Sequence, residues 1–255
     1  MKLAMADLDM IWEEKETNKN QCRQMMEEAA RRDADVILFP EMTLTGFSMD
    51  VERIQDRNKE TVSFFTQLAR EYELAAGFGY VTMREGKGRN HFCLVDAGGT
   101  CLEDYEKLHP FTYGGEAEVY EGGDRICHAV LAGLRCGMFI CYDLRFPESF
   151  QKLPMDTDAV FVIANWPESR LAHWYTLLQA RAIEMQCYVV GVNRTGTGGG
   201  ITYAKSSAAF APDGSCLPEE EGTWNRYVLL DRERRLRYIE RFPVRQDRRY
   251  GIDYI

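Results

Sequence analysis

Short apolar runs alternate with longer stretches of helical spacing along most of this chain. Residues 2–7 form a first run of strand character. Residues 15–32 have helical composition, with Met25, Met26, Ala29 and Ala30 on the inward side. Residues 36–39 are all apolar, as in a strand buried on both faces, and Pro40 ends them. Residues 59–72 carry Val62, Phe65, Leu68 and Ala69 near i, i+3, i+4 spacing, which predicts an amphipathic helix. Strands are expected at 74–82, 91–96 and 100–106, with Gly98-Gly99 as a hairpin turn. Residues 107–124 hold two glycine pairs and read as a long loop, of the kind that is usually functional. The pattern then gives strands at 125–131 and 134–140, a helix opened by Pro147, a strand at 158–164 and a helix at 170–185. A strand at 187–192, a glycine-rich loop at 196–200 and strands at 205–211 and 226–231 complete it. The arginine- and tyrosine-rich tail has no clear periodicity. Alternating strands and helices imply an α/β fold. No linker, repeat or low-complexity segment divides the chain, so residues 1–255 are expected to form one domain.

Three polar residues stand where predicted strands end. Glu41 follows the run 36–39, Lys107 follows the run that closes on Asp104-Tyr105-Glu106, and Cys141 follows the run 137–140. Cys141 also precedes a short polar turn and then Pro147 at a helix start, a position proline tolerates because its missing N–H has no intrahelical partner. Ligand sites in open α/β sheets form outside the carboxyl ends of strands. If these ends meet, a carboxylate, an ammonium and a thiol converge. A free thiol has a pKa of about 8.5, so little of it is thiolate near neutrality. A nearby lysine favours the thiolate, and a glutamate can take its proton. The lysine can also stabilise an oxyanion, together with a backbone N–H just after the nucleophile. Such a trio suits acyl transfer through a thioester.

Composition narrows the partners. Lysine and arginine number 31 against 40 aspartates and glutamates, a formal charge of −9. An acidic chain gains nothing from phosphate backbones, so nucleic acid is not an expected partner. The N-terminus lacks the apolar core of a signal peptide, and no run has the length of a transmembrane helix. The eight cysteines are scattered, several of them inside apolar runs, where free cysteine behaves as a small hydrophobe. A reduced, cytoplasmic protein without membrane attachment is expected. No cysteine pair has metal-ligand spacing and the four histidines lie far apart, so no metal is expected, nor any other cofactor.

Phe39-Pro40-Glu41-Met42, Tyr105-Glu106-Lys107-Leu108-His109 and Cys141-Tyr142-Asp143-Leu144-Arg145-Phe146-Pro147 resemble the three catalytic motifs of the nitrilase (carbon–nitrogen hydrolase) superfamily, in its order and at its approximate spacing. Ala164-Asn165-Trp166-Pro167 and Ala180-Arg181-Ala182-Ile183-Glu184 match its flanking patterns. Residues 41–47 and Asn165-Trp166-Pro167 are similar to the omega-amidase branch, whose members release ammonia from the side-chain amide of 2-oxo acids such as 2-oxoglutaramate. The resemblance implies an αββα sandwich that pairs with a second subunit, as a homodimer or larger homo-oligomer. It implies Glu41 as general base, Lys107 as transition-state stabiliser and Cys141 as nucleophile. It also implies a further glutamate in the loop after the lysine, for which Glu116 is the choice and Glu118 the alternative. Pro110 departs from the apolar residue usual at its position. The substrate is expected to be a small carboxylate-bearing amide. A nitrile, an N-carbamoyl amine, or a non-catalytic binding role on the same fold are the alternatives.

Tyr142, Arg145 and Trp166 are the candidate substrate-binding residues. Arg145 could instead pair with Asp143 or Glu148, but a guanidinium four residues after the nucleophile could hold a carboxylate through a bidentate fork. His109 and His173 could suggest a Cys–His hydrolase, yet the glutamate and lysine already fill the base and oxyanion roles. Residues 196–200 lack the strand–loop–helix context and the lysine of a phosphate-binding loop.

Overall fold

A computed structural model describes residues 1–249. The first half of the chain runs β1 (Lys2–Ala6), α1 (Lys15–Arg31), β2 (Val36–Leu38), α2 (Val51–Ile54), α3 (Glu60–Tyr72), β3 (Ala75–Arg84), β4 (Lys87–Val95), β5 (Cys101–Glu106) and α4 (Glu116–Val119). The second half runs β6 (His128–Leu131), β7 (Leu134–Ile140), α5 (Pro147–Phe150), β8 (Ala159–Ala164), α6 (Leu171–Met185) and β9 (Tyr188–Asn193). It ends with β10 (Gly196–Gly198), β11 (Ile201–Tyr203), β12 (Ala208–Phe210), β13 (Glu220–Glu221), β14 (Asn225–Leu229) and α7 (Arg232–Arg241).

Two large sheets face each other. One has the order β13-β14-β1-β2-β3-β4-β5, the other β12-β9-β8-β7-β6. Each has a parallel centre, β1-β2-β3 in the first and β7-β8-β9 in the second, flanked by antiparallel strands. Alternation along the strands assigns the layers. Leu3, Met5, Val36, Leu38, Phe92, Leu94 and Tyr105 share one core with the second sheet. Ala4, Ala6, Ile37, Ala76, Phe78 and Cys93 point the other way, onto Cys22, Met25, Met26 and Ala29 of α1 and Phe65 and Leu68 of α3. The Phe65 ring stacks on Phe78 at 4.2 Å. Helix α6 lies against the far face of the second sheet, where Gly191 leaves room for Leu178 and Trp174. The order helix, sheet, sheet, helix is the αββα arrangement that the sequence implies.

Every predicted strand and long helix is present; the structure adds the short elements α2 and β13 and revises the reading elsewhere. Strands β3 and β4 run on to a two-residue turn at Glu85-Gly86, with φ of 54° and 77°, where residues 83–90 had no strand signal. The segment Lys87-Gly88-Arg89-Asn90 is too polar to read as a strand, yet Arg89 and Asn90 are buried because other side chains and carbonyls bind them. The loop 107–124 contains a 3-10 turn at Thr112–Gly114 and the short helix α4. The glycine-rich stretch 196–200 is half of the hairpin β10-β11, turning at Gly199-Gly200. The helix opened by Pro147 is a single turn. Helix α7 lies in the unpatterned tail. Its inward residue is an arginine, Arg235, paired with buried Asp158 at 2.9 Å, so no apolar stripe marks it. Tyr250 and Tyr254 of that tail lie outside the described residues.

The strand ends place the polar residues. Glu41 follows β2, Cys141 follows β7 and Asn165 follows β8, all at carboxyl ends of central parallel strands, while Lys107 follows β5. Gly79 of β3 is the contact that lets the Glu41 segment lie across the sheet. A Cβ there would collide with the Met42 nitrogen and lie 2.9 Å from Glu41 Cα. Overpacking of this kind costs about 1–3 kcal/mol. Gly79→Ala is therefore expected to lower thermal stability and to cut kcat more than tenfold through displacement of Glu41. Parallel melting and turnover measurements check it, and unchanged values in both would remove Gly79 from this role.

Candidate active site

The Glu41 segment is a tight loop. Met42 has φ of 48°, an uncommon value for a residue other than glycine. Thr43 compensates: its hydroxyl donates to the Pro40 carbonyl at 2.6 Å and accepts from Gly79 N–H at 2.9 Å, while its own N–H donates to the Gly79 carbonyl at 3.0 Å. The Glu41 carboxylate is fully buried. Its Oε1 accepts from Lys107 Nζ at 2.9 Å and Asn90 Nδ2 at 2.8 Å. Its Oε2 accepts from the Asn165 N–H at 2.9 Å, and the Asn165 side-chain amide donates to the Glu41 carbonyl at 2.7 Å.

Lys107 is held on both sides of its backbone. Its N–H donates to the Asn90 carbonyl and its carbonyl accepts from Gly123 N–H, each at 2.8 Å. The ammonium sits between two carboxylates, with Glu116 Oε2 at 2.8 Å and Oε1 at 3.0 Å besides Glu41. Glu116 opens α4 and is fully buried, whereas Glu118 is exposed. Asn90 bridges the two acids, with Nδ2 also 3.2 Å from Glu116 Oε1. The Phe111 N–H donates to Glu116 Oε2 at 2.5 Å.

Cys141 begins a 3-10 turn, Cys141–Arg145, with φ of 45°. The first N–H groups of a helical turn have no intrahelical acceptor and are free to serve a ligand. The Cys141 thiol lies 3.9 Å from the Asn165 carbonyl oxygen, whose own N–H is bound to Glu41. Asp143, fully buried, clamps this turn. Its Oδ2 accepts from the Tyr105 hydroxyl at 2.8 Å and Ile140 N–H at 3.1 Å. Its Oδ1 accepts from the His109 N–H at 2.9 Å and lies 2.8 Å from His109 Nδ1. The loop after Lys107 and the turn after Cys141 are thus tied to one carboxylate. His109 is consumed in that tie and stacks on Phe146 at 3.9 Å.

Electrostatics sharpen the roles open to these groups. Burial works against the Lys107 charge, but the Glu116 and Glu41 carboxylates outweigh it and hold the ammonium well above the ordinary lysine range. Burial and Glu41 raise the Glu116 carboxyl, opposed by Lys107. Burial first, and then Glu41, push the Cys141 thiol well up, and the attraction of Lys107 does not cancel them. Lys107 favours the thiolate, as the sequence suggests, but burial and Glu41 outweigh it. With two carboxylates around one ammonium, a resting thiolate would add a second uncompensated negative charge.

A cavity of about 350 Å³ opens over the thiol, with Cys141, Lys107 and Asn165 in its lining. Tyr142, Arg145 and Trp166 all line it, as the sequence suggests. The Arg145 guanidinium stands 4.7 Å over the Trp166 ring and 3.3 Å from His173 Nδ1. It makes no ion pair with Asp143 or Glu148 among the described residues: Asp143 is taken by Tyr105 and His109. Trp166 is fixed by Asn193, whose side-chain oxygen accepts its N–H at 2.6 Å. Sequence reasoning missed Asn90 and the clamp at Asp143, and it saw Asn165 only as part of a flanking pattern. Asn90 carried no signal inside a polar segment. Asp143 had one, its place two residues after the cysteine.

The carbon-nitrogen hydrolase family model matches residues 2–240. The chain is 31% identical over 252 residues to omega-amidase YafV of Escherichia coli (strain K12), covering 97% of this chain and 96% of that protein. It is 31% identical to a 2-oxoglutaramate amidase of Bacillus subtilis (strain 168), over 88% of this chain and 89% of the other. Among solved structures, XC1258 from Xanthomonas campestris, described as a CN-hydrolase superfamily protein with an arsenic adduct in the active site, superposes with a TM-score of 0.90. It is 26% identical, and the match covers 100% of this chain and 98% of that one.

Removing the Asp143 carboxylate leaves buried donors unpaired at about 1–3 kcal/mol each. Asp143→Ala is expected to lower the melting temperature and, below melting, to reduce kcat far more than it raises KM, because it acts on the position of Cys141 rather than on the cavity wall. Equal changes in kcat and KM would argue for a purely structural role.

Proposed function

We propose, from the premise that this chain belongs to the carbon–nitrogen hydrolase family, that it is an omega-amidase: it hydrolyses the terminal amide of a small carboxylate-bearing molecule such as 2-oxoglutaramate, releasing ammonia. Two of the relatives named above are an omega-amidase and a 2-oxoglutaramate amidase, each aligned over most of both chains. The observation that carries the substrate assignment is the Arg145 guanidinium, which has no carboxylate partner among the described residues, in the wall of the cavity that also contains Cys141.

In this reading Cys141 Sγ attacks the amide carbonyl carbon while its proton passes to Glu41. The carbonyl oxygen gains the negative charge and is received by Lys107 Nζ and the N–H of Tyr142, donors that stand in place before the reaction. Glu41 returns the proton to the leaving nitrogen, the C–N bond breaks, and ammonia departs from a thioester on Cys141. Glu41 then takes a proton from water, the hydroxyl adds to the thioester, and collapse expels the Cys141 sulfur, which takes the proton back from Glu41 as the carboxylic acid leaves. Glu116 keeps Lys107 charged and aimed throughout. Nucleophile, base and oxyanion donors all belong to this chain, so the route calls for no metal or organic cofactor. Arg145 holds the distal carboxylate and sets its distance from Cys141, with Trp166 and Tyr142 flanking it.

The protein is further proposed to act in the cytoplasm as a homodimer or larger homo-oligomer. Its free cysteines suit a reducing compartment. Tyr175 and Ile183 on α6 and Phe242 beyond α7 are exposed apolar groups of the kind found at subunit contacts. No helix among the described residues is long and apolar enough to cross a membrane.

Cys141→Ala is expected to abolish ammonia release from 2-oxoglutaramate with the fold retained. Residual turnover above about one part in a thousand would place the nucleophile elsewhere. Arg145→Ala tests the substrate class. A charge-assisted hydrogen bond is worth about 1.5–3 kcal/mol, so kcat/KM for 2-oxoglutaramate should fall roughly ten- to a hundredfold. A neutral amide of similar size should be much less affected. Equal losses on both, in a variant that melts normally, would remove Arg145 as the anchor. Preference of the wild type for the neutral amide would reject the omega-amidase assignment itself.

A further inference from the structure

Away from the cavity, two cysteines on neighbouring strands have sulfurs 3.6 Å apart: Cys93 of β4 and Cys101 at the start of β5. The strand register explains how they meet. Cys93 opposes Asp104 and Leu94 opposes Glu103, but Val95 then opposes Cys101, a slip of one residue. In a regular ladder Val95 would face Leu102, and Cys101 would point to the opposite side of the sheet. A slip of one residue moves a side chain to the other face. Here it brings Cys101 to the face of Cys93, diagonal to it, at a distance where cross-strand side chains interact.

We propose that Cys93 and Cys101 form a reversible disulfide, making this strand pair a thiol-oxidation site separate from the catalytic cysteine. A disulfide has an S–S length of about 2.05 Å, so the sulfurs need to approach by only about 1.5 Å. Cys101 can supply that movement, since it is exposed and follows the Gly98-Gly99 turn. The two thiols divide the labour of oxidation. Cys93 is buried beneath the outer helices, whereas Cys101 meets solvent. The hydrogen bond from Cys93 brings the Cys101 thiol down to about 7, while that same bond and burial raise Cys93. Burial pushes Cys22, Cys136, Cys187 and Cys141 upward, whereas Cys101 is brought down.

With a hydroperoxide as oxidant the steps balance. The Cys101 thiolate attacks one peroxide oxygen, the O–O bond breaks, and Cys101 becomes a sulfenic acid as an alcohol or water departs. The Cys93 sulfur then displaces hydroxide from the Cys101 sulfur, and its proton leaves with that hydroxide as water. The two cysteines together lose two electrons, which the peroxide accepts. A small dithiol or the cell's thiol pool reverses the bond by exchange.

The test uses the intact wild-type protein. Cleavage after Arg89 and Lys107 by trypsin yields a peptide of residues 90–107 that contains Cys93 and Cys101 and no other cysteine. After one molar equivalent of hydrogen peroxide and alkylation with iodoacetamide, that peptide is expected mostly unalkylated and two hydrogens lighter. Dithiothreitol before alkylation should restore the doubly alkylated form. In Cys93→Ser, dimedone should trap a sulfenic acid on Cys101. In Cys101→Ser, Cys93 should stay alkylatable. A peptide 90–107 that remains doubly alkylated while peroxide is consumed would overturn the proposal. So would accumulation of sulfinic acid on Cys101 with Cys93 still free in the wild type.

Discussion

One ammonium between two buried carboxylates sets the terms for the rest of the site. A lone charge removed from water is costly, and a paired one is stable only when its remaining hydrogen-bonding positions are filled. Lys107 meets that condition through Glu41 and Glu116, and the acids meet it through Asn90, Asn165 and the Phe111 N–H. These partners come from loops after β2, β5 and β8, from β4 and from α4. The ion triad therefore acts as a keystone where both sheets end. It also governs the sulfur. The ammonium is already shared between two carboxylates, and its attraction does not offset the burial and the Glu41 charge that raise the Cys141 thiol.

The sheet layers were legible because their strands are apolar and their helices periodic. Glu41, Lys107 and Cys141 were legible because each stands at the end of a predicted strand, within a motif that resembles the family's. Choosing Glu116 over Glu118 was beyond periodicity: two residues apart on a helix they point to nearly opposite sides, and α4 is a single turn inside a loop. Asn90 escaped because Lys87-Gly88-Arg89-Asn90 resembles a turn, although it is strand whose polar side chains are satisfied by partners far away in sequence. Helix α7 escaped for the same physical reason, with Arg235 buried where a leucine would have signalled a core face. Polar burial is written in tertiary partners, and these are not visible in local spacing.

Two cysteines show how environment rather than residue type determines thiol chemistry. Cys141 is raised by burial beside carboxylates and lines the cavity. Cys101 is lowered by a neighbouring thiol and faces solvent. The first depends on a strand-end turn, the second on a register slip, and both are backbone devices that place sulfur where a regular strand would not.

The small hairpin β10-β11 belongs to neither large sheet, yet Gly198, Gly199, Ile201 and Tyr203 form part of the cavity wall. Elsewhere in that wall Lys107 and Asn165 belong to the ion triad and its partners, and Tyr142 and Arg145 to the turn that Asp143 clamps. The hairpin bears none of those ties: Arg194 supports it from beneath through the Thr197 carbonyl and the Tyr203 ring. Residues 196–203 thus shape one side of the cavity from a two-stranded ribbon of their own, while Arg145 shapes another from the same turn that carries Cys141, so the outline of the cavity is set by two parts of the chain that answer to different constraints.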